Sequence, residues 1–492
     1  MSRILAAIGG TGQEIALACL RLCHVTNFEI PKVYVFDSDS FDPDTTKGQK
    51  DTRSHRLREL GRFFESITRN GNPVSFQSVI DRNYQNETVA SLFSSSNVLA
   101  PETSDLLDLL ISKSQQVVPI IDGFHGEPSV GAIAFADAVS IGAWREFEER
   151  LNDETQLPGQ HFVLLAGGTA GGTGPGVLPV LAGEVMDWKQ ARKPDAPKVN
   201  ISLVVQLPWF RLAGKEGRDQ SDIEFEEMQR NSACLVKQYD TQLERLGDRV
   251  VLMGLQDIAD RKTSGPHHQP EEVHYLNLVS GWLSAELLAD SETQGKMLER
   301  GVYALASDDN EDPLGLTLTG LTEKKEKRRV RLREALQAAS IAVVFCETLD
   351  EQCRYSRDVA VPSEVWRLAA RLGSELGEFQ KMLRSLGSQE KSVIEWFSEV
   401  YSGRTSGPFV VSEWSGETGW RIAARRAGLP TQKHNLVARV IRDGKFLQHL
   451  GDSEAQGKTA HKTGDLVAAA MFSELKSYLV SELVKKGGTT GT

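Results

Sequence analysis

The segment Ala166–Gly176, AGGTAGGTGPG, places six glycines in eleven residues. Glycine has no side chain to cover its own amide. This run stands between an apolar stretch, FVLLA at 162–166, and an apolar helical pattern from Val177. Uncovered amides and the positive end of a following helix together attract anions, so the expected ligand group is phosphate. One or two glycines would serve a tight turn; six exceed that need. Two more glycine-bearing turns follow apolar runs: Gly9-Gly10-Thr11-Gly12-Gln13-Glu14 after RILAAI, and the stretch from Gly123 to Gly131 after VVPII. The first lacks the further glycine of a dinucleotide fingerprint, and the chain has no GxxxxGK[ST], which excludes a Walker-type NTPase. A nicotinamide-dependent Rossmann enzyme is the poorer reading, because its fingerprint is incomplete and the richest glycine loop comes late. Loops that follow strands of one parallel sheet converge on the crevice at the carboxyl ends of those strands.

Other residues offer less chemistry. His267-His268 has no His, Cys or Asp at ligand spacing, so no metal site is expected. The five cysteines include no zinc-type pair, and Cys19 and Cys23, four apart in an apolar run, read as buried helix surface. Glu323–Glu334, EKKEKRRVRLRE, carries seven Lys or Arg and reads as a solvated loop and helix start. Trp366, Trp396, Trp414 and Trp420 read as core anchors. No Ser/His/Asp or Cys/His arrangement is legible.

The elements that must position the glycine loops are short apolar runs alternating with amphipathic helices. Runs at 3–8, 33–36, 117–121, 162–166, 199–206 and 249–253 read as strands of a parallel sheet covered on both faces. A helix is expected over 53–67, within a mostly helical, polar insertion at about 48–113, and a long helix over about 272–289. The last two hundred or so residues read as an α+β unit with strands at 341–345, 409–412 and 436–441. A disordered tail is expected at 485–492.

Lys and Arg number 56 against 67 Asp and Glu, a net charge of −11. That balance opposes whole-surface attraction to nucleic acid or anionic lipid. No run of about 18 uninterrupted apolar residues occurs, so no membrane span is expected. The first residues lack a signal-peptide pattern, and the sparse cysteines suit a reducing cytoplasm.

With these motifs in this order, the sequence resembles the tubulin/FtsZ superfamily over roughly residues 1–305. GGTGQEIA at Gly9–Ala16 is similar to its first nucleotide loop, where tubulins carry Gly-Gln-Cys-Gly-Asn-Gln. Asp37-Ser38-Asp39 falls where FtsZ has Asn-Thr-Asp. Gly126-Glu127-Pro128-Ser129-Val130-Gly131 resembles the FtsZ loop Gly-Ala-Asn-Pro-Glu-Val-Gly. Ala170–Gly176 matches the signature GGGTG[ST]G, with Ala170 first and Pro175 replacing Ser or Thr; Pro175 removes one amide from the cradle. VVQLPWF at 204–210 resembles the strand and Lys-Pro-Phe step that follow.

The resemblance implies an α/β fold with a parallel, Rossmann-like nucleotide-binding sheet over 1–270. A central helix over 271–292 and an α+β C-terminal domain over 293–484 would follow. It implies GTP or GDP as ligand, with Mg2+ as an accompanying ion. The phosphates would meet Gly9, Gly10, Thr11, Gly12, Gln13, Gly126, Glu127, Gly168, Gly171, Gly172, Thr173, Gly174 and Gly176. Asp37 and Asp39 would follow the second strand, Arg230 and Asn231 would lie near the ribose or base, and Asn277 would read guanine. The family carries Asn-x-Asp-x-x-Asp after the central helix. Here Ala289 takes the place of the first acid, leaving Asp290 and Glu292 as candidate catalytic carboxylates. Head-to-tail self-association is implied; an unidentified protein partner is expected for the C-terminal unit.

Overall fold

The computed structural model describes residues 1–26, 28–37, 53–68, 71–79, 88, 90–91, 111–117, 124, 128–140, 142–208, 210–212, 226, 229–237, 247–254, 259–261, 275–293, 302–307, 316–320, 327–329, 332–354, 361–398, 416–443 and 464–487. Among these described residues its centre is a nine-stranded sheet in the order β11-β10-β9-β7-β5-β4-β1-β2-β3. The strands are β1 (Arg3–Ile8), β2 (Lys32–Asp37), β3 (Val74–Ser78), β4 (Gln160–Gly168), β5 (Lys198–Gln206), β7 (Arg249–Met253), β9 (Val302–Ser307), β10 (Leu316–Gly320) and β11 (Lys327–Arg329). Pairing is parallel from β3 through to β9, and antiparallel from β9 to β10 and from β10 to β11. Short strands β6 (Phe210–Leu212) and β8 (Ala259–Arg261) form a separate parallel pair.

The inner strands are apolar runs without alternation because both faces are covered. Ile4, Ala6 and Ile8 point into one core and Leu5 and Ala7 into the other. The first face carries α3 (Pro128–Ser140), α4 (Ala143–Glu154) and α5 (Thr173–Ala191). The second carries α1 (Gly9–Thr26), α2 (Arg53–Thr68) and the long α6 (Tyr275–Thr293). On the same side lies a bundle of α7 (Leu332–Arg354), α8 (Ser363–Leu372), α9 (Leu376–Ser398), α10 (Gly416–Arg426), α11 (Lys433–Asp443) and α12 (Gly464–Gly487). Helix α6 crosses α1 closely: a Cβ on Gly281 would meet the Cys19 amide nitrogen at 2.8 Å.

A buried polar cluster ties the bundle to the sheet. Lys476 of α12 donates to Glu390 of α9 at 2.5 Å and to the His24 carbonyl near the end of α1. His24 Nε2 lies 3.0 Å from the same Glu390 oxygen, and its ring stacks on Phe472. Burial lowers the pKa of both His24 and Lys476. Burial would raise that of Glu390, but the adjoining Lys476 ammonium and His24 outweigh it and hold the carboxyl below its ordinary value.

Several expected elements differ. Residues 341–345 lie inside α7 and residues 436–441 inside α11, so neither is a strand. IAVVF is β-branched, yet no Gly or Pro interrupts residues 332–354 and the whole run is helical. In α11 the buried residues are Leu436, Val437, Ala438, Val440 and Ile441, with Arg439 and Arg442 exposed on the other side. The expected strand at 409–412 lies outside the described residues. So does most of 117–121, and its first residue, Val117, is a turn residue exposed at 68%. The strand beyond β2 is instead β3, inside the segment expected to be helical. Lys327–Arg329, expected in a loop, forms edge strand β11. The tail expected to be disordered from Lys485 is helical through Gly487. Trp396 and Trp420 are buried as expected, Trp366 is 55% exposed, and Trp414 lies outside the described residues.

Candidate functional site

The carboxyl ends of β2, β1, β4 and β5 lie side by side: Ile8 pairs with Phe36, Ala7 with Ala166, and Gly168 with Gln206. Strand β1 runs directly into α1 at Gly9, whose φ of +64° favours glycine. A Cβ there would stand 3.1 Å from both the Gly174 amide nitrogen and Thr173 Cβ, so the two glycine loops touch. Gly12 faces the Ala166 carbonyl, with room for no side chain: a Cβ would meet that oxygen at 2.5 Å.

The long glycine run is thereby divided by role. Gly174 packs on the Gly168 carbonyl, Gly176 on the Pro128 carbonyl, Gly172 on Phe124, and Gly168 on Thr11. These glycines let three segments close on one another. Gly171 differs: it is exposed, and nothing lies within 4 Å of the Cβ it lacks. Helix α5 then starts at Thr173 with Gly172 as its N-cap and no side-chain cap. The amino ends of α1, α3 and α5 thus meet around one crevice. Such ends carry partial positive charge and donor amides, the chemistry that holds phosphate.

A polar network lies beneath the loops. Asp37, 6% exposed at the end of β2, accepts a hydrogen bond from Gln13 Nε2 at 2.5 Å and a longer one from the Thr173 hydroxyl at 3.5 Å. Gln13 Oε1 accepts from Ser54 Oγ at 2.9 Å, so the first turn of α2 belongs to the site. Arg53 Nε donates to Glu14 at 2.6 Å, and Arg56 Nη2 stands 3.6 Å from the same oxygen. Ser54, Arg53 and Arg56 are not among the residues expected from sequence at this site. The available signal was a helix that opens Arg-Ser and would face the first glycine turn.

Asn277, 3% exposed on α6, accepts from Gln206 Nε2 at 3.1 Å; Gln206 also donates to Ser280 Oγ at 2.9 Å. Gln206 pairs across from Gly168, so this contact ties the central helix to the edge of the glycine loop. Thr169 donates through its amide to the Gln206 carbonyl at 2.8 Å, and Ser232 Oγ donates to the Thr169 carbonyl. Arg230 and Asn231, just before Ser232, are exposed, and Arg230 pairs with Glu226 at 3.4 Å. Asp39, Gly126 and Glu127 lie outside the described residues. Asp290 and Glu292 occupy the last turn of α6, and their side chains lie outside the description.

Among the described residues no group of three His, Cys, Asp or Glu could hold a metal ion, and no helix is long and apolar enough to cross a membrane. A cavity of about 710 Å³ lies at the opposite end of the sheet, lined in part by Arg3, His24, Lys32, Asn72 and Lys476. It is separate from the glycine loops.

The parallel sheet, the helices on both faces and the long helix α6 give an α/β fold with a doubly covered parallel sheet. No protein-family model matches the chain, and no curated protein matches it. Among solved structures it is similar to CetZ2 from Haloferax volcanii, a GTPγS-bound protofilament, at 16% identity. That match covers 62% of this chain and 67% of that one, with a TM-score of 0.31. It is also similar to CetZ1 from the same organism, a GDP-bound monomer, at 13% identity, covering 62% and 68% with a TM-score of 0.30. Likeness at these scores bears on none of the residue assignments.

Proposed function

We propose that this chain is a tubulin/FtsZ-like guanine-nucleotide-binding protein, a slow GTPase that assembles head to tail. The observation that carries the reading is the meeting of three helix amino ends and two glycine loops around Gly10 and Gly171. Both are glycines whose missing Cβ faces open space or a movable side chain. A phosphate chain fits that space and that sign of potential. Mg2+ would arrive with the phosphates and keep much of its water, with Asp37 the nearby carboxylate. Guanine is the base implied by the sequence resemblance, with Asn277 reading it.

The test is direct titration with GTP and ATP analogues on the native chain and on Gly10→Leu. Gly10 is in a helix and only the end of Arg53 opposes a side chain there, so the variant should fold. We expect GTP to bind more tightly than ATP and the variant to lose nucleotide. Unchanged affinity in Gly10→Leu, measured on protein with native circular dichroism, would refute the site.

For turnover, light scattering and phosphate release should rise together with protein concentration. Glu292 and Asp290 lie two positions apart on a helix, and such positions do not share a face. A water-activating acid out of place by about 1 Å costs about a hundredfold in rate. Hydrolysis is therefore expected to be slow, and to fall further in an Asp290→Asn, Glu292→Gln double variant with unchanged nucleotide affinity. The same helical placement favours a second reading, a nucleotide-binding interaction protein that neither hydrolyses nor polymerises strongly. Bound GTP without phosphate release or scattering would select it.

A further inference from the structure

Two arginines of α2 stand at the glycine turn that opens α1, and the placement of one is electrostatically costly as it stands. Arg53 Nη1 lies 2.5 Å from the position a Cβ on Gly10 would take, so the guanidinium covers the first turn of α1. The amino end of a helix behaves as a partial positive charge, and a cation parked there is repelled. Glu14, one helical turn after Gly10, offsets that repulsion through its 2.6 Å bond from Arg53 Nε. Beside it, Arg56 has buried Nε and Nη2 atoms without a hydrogen-bond partner. Two guanidinium groups thus share one carboxylate at the place where the α1 amides would draw an anion.

We propose that Arg53 is a phosphate-binding residue and that Glu14 holds it in reserve, exchanging it to a phosphate oxygen when nucleotide docks on α1. The proposal rests on the nucleotide reading of this site. A planar guanidinium matches phosphate oxygens in two-point geometry, and charge-assisted bonds of this kind are roughly twice as strong as neutral ones. An anion on the α1 amides would turn the repulsion between Arg53 and the helix end into attraction between Arg53 and ligand. Rotation within the Arg53 side chain suffices, since its Nη1 already lies over Gly10. Arg56 then remains beside Glu14, so the carboxylate is not left without a cation.

The experiment titrates GTPγS into the native chain, Arg53→Ala, Arg53→Lys and Glu14→Gln, and records thermal unfolding of each without ligand. Loss of a charged hydrogen-bond donor should weaken binding at least about tenfold in Arg53→Ala. Arg53→Lys, which keeps the charge without the planar fork, should fall between Arg53→Ala and the native chain. Glu14→Gln frees Arg53 from its competitor and should tighten binding by at least about twofold, since the ion pair it removes is largely buried, with side chains 16% and 9% exposed. The opposite signs are diagnostic, because a merely structural pair would make every variant lose affinity in step with its unfolding temperature. That parallel loss would overturn the proposal. So would native affinity in Arg53→Ala. If the native chain itself fails to bind GTPγS, the nucleotide reading falls and this proposal with it; binding by the native chain with equal affinity in the variants sinks the proposal alone.

Discussion

A glycine occupies a loop because another atom is too close for a side chain, because its φ is positive, or because something must approach the backbone. Gly172 and Gly174 are of the first kind, with Phe124 and the Gly168 carbonyl in the way; Gly171 has a φ of +90° and open space beside it, and the atom nearest a Cβ on Gly10 is the movable end of Arg53. A bulky side chain at Gly172 should therefore disturb folding as well as binding. Asn277 is the residue to which the proposed function assigns base selection. In Asn277→Ala, Gln206 keeps its bond to Ser280, so stability should drop by only about 1 kcal/mol. If Asn277 reads guanine, the same variant should lose GTP affinity while the weaker ATP affinity stays put; titration with both decides it. Glycine density and loop order were legible in the sequence because they are local. Arg53, Ser54 and Arg56 were not, since a helix-surface Arg or Ser looks the same whether it faces water or a glycine turn forty residues away.

At the scale of elements, β1, β4, β5 and β7 could be read directly because a strand buried on both faces is a continuous apolar run. The same criterion misread α7 and α11. Helix α7 is buried almost all round over 335–346, so its IAVVF segment reads as a continuous apolar run. Helix α11 is instead exposed at Lys433, Arg439 and Arg442, and its short apolar stretch at 436–441 is too brief for periodicity to decide. Strand β3 is only five residues with two apolar positions, Val74 and Phe76, too short for its alternation to stand out from the polar residues around it. The crossing of α1 and α6 depends on Gly281, which meets Ala18 and the Cys19 amide. Gly281→Leu should force the helices apart and cost about 1–3 kcal/mol, as overpacked cores do. Chemical denaturation would measure it, and an unchanged midpoint would show that the crossing is looser than the structure has it.

The whole molecule is joined across the His24–Glu390–Lys476 cluster, where charge is buried between the sheet layer and the bundle. Removing one member leaves the other charge without its partner. Lys476→Met should therefore cost about 3–5 kcal/mol. The double change Lys476→Met with Glu390→Leu should cost clearly less than the sum of the single changes, measured by denaturant unfolding. The pH dependence has a definite sign. The pKa of folded His24 lies below its ordinary 6.5, so as pH falls through 6.5 the unfolded chain takes up a proton that the folded chain refuses. Glu390, held below its ordinary 4.5, contributes stability above 4.5 that is lost as pH falls through its folded value. Both act in one direction, and the unfolding temperature should decline from pH 7 towards pH 4. In His24→Phe the upper part of that decline, near pH 6.5, should flatten.

Helix α1 begins in the glycine crevice at Gly9 and reaches the ion cluster at His24. Its 18 residues span about 27 Å at 1.5 Å per residue. Its length is accordingly a fixed dimension of the protein, like the spacing between two bolt holes. One residue inserted after Leu17 would leave Gly9–Gly12 in place, yet it would turn His24 through about 100° and advance it about 1.5 Å, away from Glu390 and Phe472. No surface loop could absorb that error, because α1 is walled in by the sheet, α2, α6 and the bundle. The same insertion in an exposed turn such as the one near Gly159 would pass unnoticed.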